Sequence, residues 1–486
     1  MVFSSLIFLF AFFSVSILVY WLCPSQKAKN AALLVFSLIF YAWGEPKYVL
    51  LLMFMAAVSW LCALGVTRSR SRHEQKMWVV AAAVIEIAMI VWFKYAGLVF
   101  SIFGEVPAFI KNIALPIGIS FYTFQLLTYV IDVYRREAPA QKSYWNVLLY
   151  ASLFHQCIAG PIVRYQTVAK ELFGRKPRRA DIPRGVSRFC AGLAKKALLA
   201  NPCGALANSL ILSDTAIADV SKLAENLTAL NSQSVLGAWV GIIAYALHIY
   251  LDFSAYSDMA IGMGKMVGLN YLENFNYPYI SRSITEFWRR WHMSLGTFFR
   301  DYVYIPLGGN RVSVPRAIFN TFVVWALTGL WHGASWNFVL WGLWFFVFLM
   351  LERFALKKFL AKVPVISNFY AVFVVVLGWV IFRFTNTELM VAAFKSLFGM
   401  NGNALSSFAA ETLLKNNMFL LLASIFISLP VMKWLRNKLE VHALHNPGFG
   451  KVWNVVIYSV IPVVLLLLST AALVGDSYNP FIYFQF

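Results

Sequence analysis

By length alone, the 486 residues suggest roughly three soluble domains of ~150 residues each, but the composition excludes that. Hydrophobic residues make up 60% and charged residues 13%, against about 25% charged in an ordinary soluble domain, too little polar surface to clothe several globules. The 41 basic residues against 21 acidic, a net +20, would point to nucleic acid in a soluble chain and here are read first as cytoplasmic loops of a membrane protein. A ~30 Å hydrocarbon core needs about 20 apolar residues per crossing. Candidate spans in chain order lie near 3–22, 31–43, 48–66, 78–100, 112–134, 235–253, 366–384, 418–434 and 452–474. Stretches near 145–163, 187–211 and 317–351 read as bent, re-entrant or amphipathic. The first span lacks a basic n-region and an A-x-A site, so it is expected to be retained rather than cleaved.

Loop charges orient these spans. Lys27 and Lys29, then Arg68, Arg70, Arg72 and Lys76, mark cytoplasmic loops and leave the N-terminus outside. Alternation then puts the stretch 164–196 inside, with ten basic residues against Glu171 and Asp181. It puts 212–234 outside, the clusters at 353–362 and 433–451 inside, and the tail from Gly475 to Phe486 outside. There is no 20-to-50-residue period and no inverted duplication, which speaks against a solenoid or a repeat-built transporter. The expectation is one polytopic all-α domain over 1–486, with about eleven membrane helices plus re-entrant or amphipathic pieces. Within it, N-terminal helices fill 1–134, a catalytic core about 135–355, and C-terminal helices and tail 356–486. The five cysteines lack C-x-x-C spacing and read as small buried hydrophobes rather than metal or redox ligands.

Two stretches carry chemistry. In the first, Ser283-Ile-Thr-Glu286 has capping-box spacing and predicts a helix start. At ~100° per residue, Trp288, Trp291, His292, Leu295 and Phe299 then share one apolar face. Arg290, Ser294, Thr297 and Asp301 occupy the other. A single histidine on such a face serves either as a hydrogen-bonded core residue or as a catalyst. Gly308-Gly309-Asn310 is a turn that also suits backbone contacts to phosphate. In the second, the 35 residues from Ala317 to Leu351 contain no Lys, Arg, Asp or Glu. One straight helix of that length would measure about 52 Å, and two full crossings need about 40 residues. A helical hairpin bent at Gly333-Ala334-Ser335 resolves the mismatch and sets His332 at its tip. A titratable group at membrane depth is a functional candidate because an unsatisfied polar group costs several kcal/mol there. The alternative is that His332 only hydrogen-bonds a backbone carbonyl at the bend.

Several long motifs resemble one family. FYAWGEPKYVLLL (40–52), LPIGISFYTFQLLTYVIDVYR (115–135), AGPIVRY (159–165), YLDFSAYSDMAIG (250–262), the stretch 273–311, GLWHGASWNFVLWG (329–342) and FIYFQF (481–486) look like the membrane-bound O-acyltransferase superfamily. They are most similar to its bacterial branch, which O-acetylates alginate, peptidoglycan and related polysaccharides. The resemblance implies that the family's near-invariant catalytic histidine falls on His332 and its second position, Asn or His, on His292, 40 residues earlier. Phe154-His155-Gln156 departs from the family's proline-containing FPQ, and no role is assigned to His155. The implied reaction takes acetyl from cytosolic acetyl-CoA, with no metal, and passes it across the bacterial inner membrane to an exported polysaccharide. An extracytoplasmic hydrolase-like (SGNH) transferase is the expected partner. Arg289, Arg290, Arg300 and Arg311 are candidates for the phosphates of coenzyme A, or else they are ordinary positive-inside and lipid-headgroup arginines. Tyr483 is a candidate acyl carrier, or part of an interfacial aromatic belt. The competing functions are a lipid or protein O-acyltransferase of the same superfamily and a polysaccharide or lipid transporter.

Overall fold

The computed structural model describes residues 2–158, 160–175, 177–212, 222–475 and 481–482. Among them all regular structure is helical, as expected where lipid cannot hydrogen-bond an open backbone. The main helices are α1 (Ile7–Leu22), α2 (Gln26–Gly44), α3 (Val49–Arg68), α4 (Arg72–Phe103), α5 (Ile119–Arg135), α6 (Tyr144–Ser152), α7 (Tyr165–Gly174), α8 (Asp181–Ala194), α9 (Asn201–Leu210), α10 (Leu223–Asn231) and α11 (Val235–Met266). They continue with α12 (Ile284–Arg290), α13 (Met293–Phe299), α14 (Val314–His332), α15 (Trp336–Leu360), α16 (Pro364–Arg383), α17 (Thr387–Leu397), α18 (Phe408–Asn416), α19 (Met418–Ser428), α20 (Val431–His445) and α21 (Pro447–Val474).

Six of these, α3, α4, α11, α15, α16 and α21, are long and apolar enough to cross a membrane among the described residues. A seventh is reached if α18 and α19, bent by 57°, are one broken span. The expected count of about eleven is not reached on this criterion. The remaining apolar segments stop short for visible reasons. α1 is 16 residues long with a π-helical first half. The polar N-terminal turn of α2 carries Gln26, Lys27, Lys29 and Asn30. α5 has 17 residues, most of them buried inside the protein.

The chain falls into two compact units. The first comprises Met1–Leu193, Tyr256–Glu273 and Ile457–Phe484. Part of the basic stretch predicted for a loop is built into its interior. The guanidinium of Arg175 donates to the Tyr20 hydroxyl at 3.0 Å and to the Val267 and Leu172 carbonyls, both at 2.9 Å. Arg188 pairs with Asp258 and Glu273, each at 2.6 Å. Glu86, fully buried on α4, is held by the Ser59 hydroxyl of α3. Phe481, on the way to Tyr483, is buried with its ring 5.1 Å from that of Tyr256. Tyr483 itself lies outside the described residues.

The second unit comprises Ala194–Ala255, Asn274–Val456 and Gln485–Phe486. It contains both predicted histidines. Lys196 and Asp252 form a fully buried ion pair at 2.6 Å within it, and Arg383 at the end of α16 donates to the Ile211 carbonyl and the Asn208 side chain. The charge-free run folds as the expected hairpin, with α14 ending at His332 and α15 starting at Trp336. Glycines let its arms touch: a Cβ at Gly329 would strike the Phe338 carbonyl, and one at Gly342 the Trp325 carbonyl. At the bend, a Cβ on Gly333 would strike the Phe338 ring.

Candidate active site

Both histidines sit where regular helix stops. His332 is the last residue of α14 and is 4% exposed. Its Nδ1 lies 2.7 Å from the Thr328 carbonyl one turn back. A carbonyl only accepts, so Nδ1 carries the proton and Nε2 is left as the basic nitrogen of the neutral ring. The sequence set a carbonyl-bonded structural histidine against a catalytic one. The carbonyl bond of the first reading is present, and the same bond points a defined lone pair away from the helix. The ring is enclosed by Trp331, Trp341 and Phe382, with centroids at 4.8, 4.7 and 5.6 Å. Asn337, at the start of α15, donates to the Ile381 and Phe382 carbonyls and fixes the end of α16 over this wall.

His292 does not lie on one continuous helix from Ser283, and this corrects the expectation. The helix begins as predicted: Ser283 Oγ accepts the Glu286 N–H at 3.0 Å, and Glu286 reaches back to the Arg282 N–H at 2.9 Å. Glu352 on α15 adds a second cap, accepting the N–H groups of Ile284 and Thr285 and the Thr285 hydroxyl. But α12 ends at Arg290, and His292 adopts φ +46°, ψ +53° before α13 starts. A non-glycine residue in the left-handed region costs of order 1–3 kcal/mol and persists only where its surroundings enforce it. Two backbone bonds between separate strands of chain do so here, Asn276 N–H to Arg290 O and Met293 N–H to Asn274 O, both at 2.9 Å. Trp291, His292, Leu295 and Phe299 are still buried, so the predicted burial survives the break. The Phe253 ring lies 4.7 Å from that of His292 and the Trp331 ring 5.7 Å. Trp331 therefore contacts both imidazoles. Its place beside His332 was readable in the sequence, but its contact with His292 was not.

Burial holds the His292 ring well below the usual histidine range, and the neighbouring His332 pushes it the same way. A neutral imidazole with a bare Nε2 is suited to take a hydroxyl proton. The predicted arginines divide. Arg290 is committed to Glu286 at 2.8–2.9 Å and to the Asn276 carbonyl, and Arg300 to Asp301 at 2.6 Å. Arg289 and Arg311 are exposed. Gly308 and Gly309 have φ of +105° and +54° and form the predicted turn, tied down by Asn320, which donates to the Leu307 and Gly309 carbonyls. His155, the departure from the family pattern, is fully buried with Nδ1 3.3 Å from the Tyr271 hydroxyl. The described residues contain no group of three or more His, Cys, Asp or Glu able to hold a metal ion.

The profile of the membrane-bound O-acyltransferase family matches residues 37–393, a range that includes both histidines. The chain belongs to this family. Over the full length of both proteins it is 34% identical to the probable alginate O-acetylase AlgI of Pseudomonas aeruginosa. It is 30% identical to the peptidoglycan O-acetyltransferase of Helicobacter pylori, covering 89% of this chain and 87% of that one. The teichoic acid D-alanyltransferase of Bacillus subtilis is 27% identical over half of this chain and 60% of its own. The protein is accordingly a multi-pass membrane O-acyltransferase, all-helical among its described residues.

Proposed function

We propose that this membrane O-acyltransferase takes acetyl from cytosolic acetyl-CoA and passes it across the bacterial inner membrane for O-acetylation of an exported or wall polysaccharide of alginate or peptidoglycan type. The observation that carries the reading is the whole-length similarity to an alginate O-acetylase, together with a buried His332 whose Nδ1 is committed and whose Nε2 is basic. In the proposed reaction the acceptor hydroxyl attacks the thioester carbonyl. The C–O bond forms, the C–S bond breaks, and His332 Nε2 takes the hydroxyl proton and returns it to the departing thiolate. The aromatic enclosure excludes water that would hydrolyse the acyl group. Exposed Arg289 and Arg311 are the better placed of the four arginines to meet coenzyme A phosphates, since Arg290 and Arg300 are already paired.

With 1–486 acting as one domain whose two termini are extracytoplasmic, Tyr483 relays acetyl to an outer hydrolase-like partner. A phenyl ester suits that step because phenolate leaves more readily than a sugar alkoxide. The experiment is deletion of the gene followed by measurement of ester-linked acetate on each envelope glycan. Loss from one glycan, restored by the wild-type gene, is expected. Unchanged acetate on every glycan, with altered acylation of phospholipid or protein instead, would assign the family's other acceptors.

A further inference from the structure

Asn274 is fully buried on the chain segment that runs beside the break between α12 and α13. Its side-chain oxygen has an unambiguous identity, because it accepts the Ser294 backbone N–H at 3.1 Å and the Ser294 hydroxyl at 2.9 Å. The same oxygen lies 3.3 Å from His292 Nδ1. The Ser294 hydroxyl lies 3.4 Å from the same nitrogen, but with its proton given to Asn274 it too presents an acceptor, and two acceptors facing Nδ1 favour the proton there, with Nε2 of His292 as the basic nitrogen. The Asn274 backbone carbonyl meanwhile accepts the Met293 N–H at 2.9 Å. One residue thus fixes the backbone at 293 and 294 and the tautomer of the strained histidine at 292.

We infer that Asn274 is a positioning residue for acyl transfer, holding His292 as the Nδ1–H tautomer so that it faces the reaction as a base, in the orientation that Thr328 O imposes on His332. The inference rests on the reading of His292 and His332 as the acyl-transfer pair. A neutral His292 has no N–H at Nε2 to offer a developing oxyanion. It does not orient His332 through Nδ1 either, since that nitrogen is already bonded to Thr328 O. What the Nδ1–H tautomer equips His292 to do is hold or relay a proton at Nε2 beside His332: the acceptor hydroxyl's proton passes to an imidazole Nε2 and from there to the thiolate released when the C–S bond breaks.

The test uses full-length protein in proteoliposomes, with acetyl-CoA as donor and release of coenzyme A as readout, beside selective ¹⁵N-histidine solid-state NMR. Asn274→Leu removes the acceptor at similar volume. Its kcat should fall about 10–100-fold, the scale on which partners of a functional histidine act, with the donor KM unchanged. Asn274→Asp keeps an oxygen opposite Nδ1 and adds charge that favours imidazolium, so it should retain most activity and move the acidic limb of the pH–rate profile upward. In wild-type protein the His292 signal, assigned by its absence in His292→Gln, should show protonated Nδ1 and bare Nε2. If Asn274→Leu fails to fold, Asn274→Asp and the wild-type spectrum decide. An Nε2–H tautomer in wild type, wild-type kcat in folded Asn274→Leu, or equal losses in both variants with an unmoved pH limb would each overturn the inference. Full activity of His292→Gln would instead overturn the assignment of the pair, and the spectrum would still report on the Asn274 bond.

Discussion

Glu352 offers a quantitative test of how the site is held in place. Its carboxylate, on a buried residue of α15, accepts two backbone N–H groups and one hydroxyl at the N-terminus of α12. That helix carries Trp288 and leads through Trp291 into His292. Glu352→Ala strands the Ile284 N–H, on a fully buried residue, and partly strands that of Thr285. At about 1–3 kcal/mol for each buried orphan donor, with Thr285 able to recover some solvation, the expected loss is roughly 2–4 kcal/mol. At roughly 2 °C per kcal/mol for a large domain, the detergent-solubilised protein should unfold about 4–8 °C lower. Glu352→Gln keeps one acceptor oxygen without the charge and should lose about half as much. Ser283→Ala, on the same helix end, should lose about 1 kcal/mol, the usual cost of an N-cap side chain. Transferase activity in membranes, normalised to folded protein, should follow the same order, because the geometry at His292 depends on where α12 starts. A Glu352→Ala protein that melts with the wild type, or a Glu352→Gln protein as damaged as the alanine variant, would refute the reasoning that a charged cap secures this helix.

Two further predictions concern buried charge and pH. Asp252→Asn or Lys196→Met alone should destabilise the protein by about 3–5 kcal/mol, because each leaves the partner's charge in a fully buried place. The double variant Lys196→Met/Asp252→Leu should recover most of that, so equal melting of single and double variants would contradict the pairing. For pH, burial holds the His292 ring below the ordinary histidine range. Its protonation is therefore delayed on acidification: in ¹⁵N-histidine spectra the His292 ring should stay neutral as pH falls through about 6.5, the unperturbed value, and take up a proton only below it. A His292 ring half-protonated at or above 6.5 would contradict the burial.

The two histidine environments show what a sequence can and cannot disclose. The hairpin was legible because 35 residues without a charge are too long for one crossing and too short for two comfortable ones, and Gly333 supplied the place to bend. The start of α12 was legible because a capping box is local chemistry. The break at His292 was not. Periodicity assumes that a helix continues, and nothing between Ser283 and Phe299 forbids it. The left-handed turn is imposed by Asn274, 18 residues earlier, through bonds that exist only once the two segments lie side by side. Glu352 was invisible for the same reason, lying 68 residues from the N–H it caps. The basic stretch 164–196 misled in a smaller way. Positive charge was read as loop topology, yet Arg175, Arg188 and Lys196 are tied into the protein by carbonyl, hydroxyl and carboxylate partners. The span count fell short because several apolar stretches fold into helices shorter than a full crossing, such as α1 and the 17-residue α5, and composition does not show where a helix will stop.

The central claim is that His332 moves the proton in transfer of acetyl from cytosolic acetyl-CoA to an extracytoplasmic acceptor. Sealed inverted membrane vesicles, given acetyl-CoA labelled in the acetyl group on their outer, cytoplasmic face, test it directly. Wild-type vesicles should accumulate ester-linked label on lumenal acceptor, whereas His332→Ala vesicles holding the same amount of folded protein should transfer it about 10²–10⁴-fold more slowly, the range expected for loss of a general base. Label arriving in His332→Ala vesicles at the wild-type rate would contradict the account.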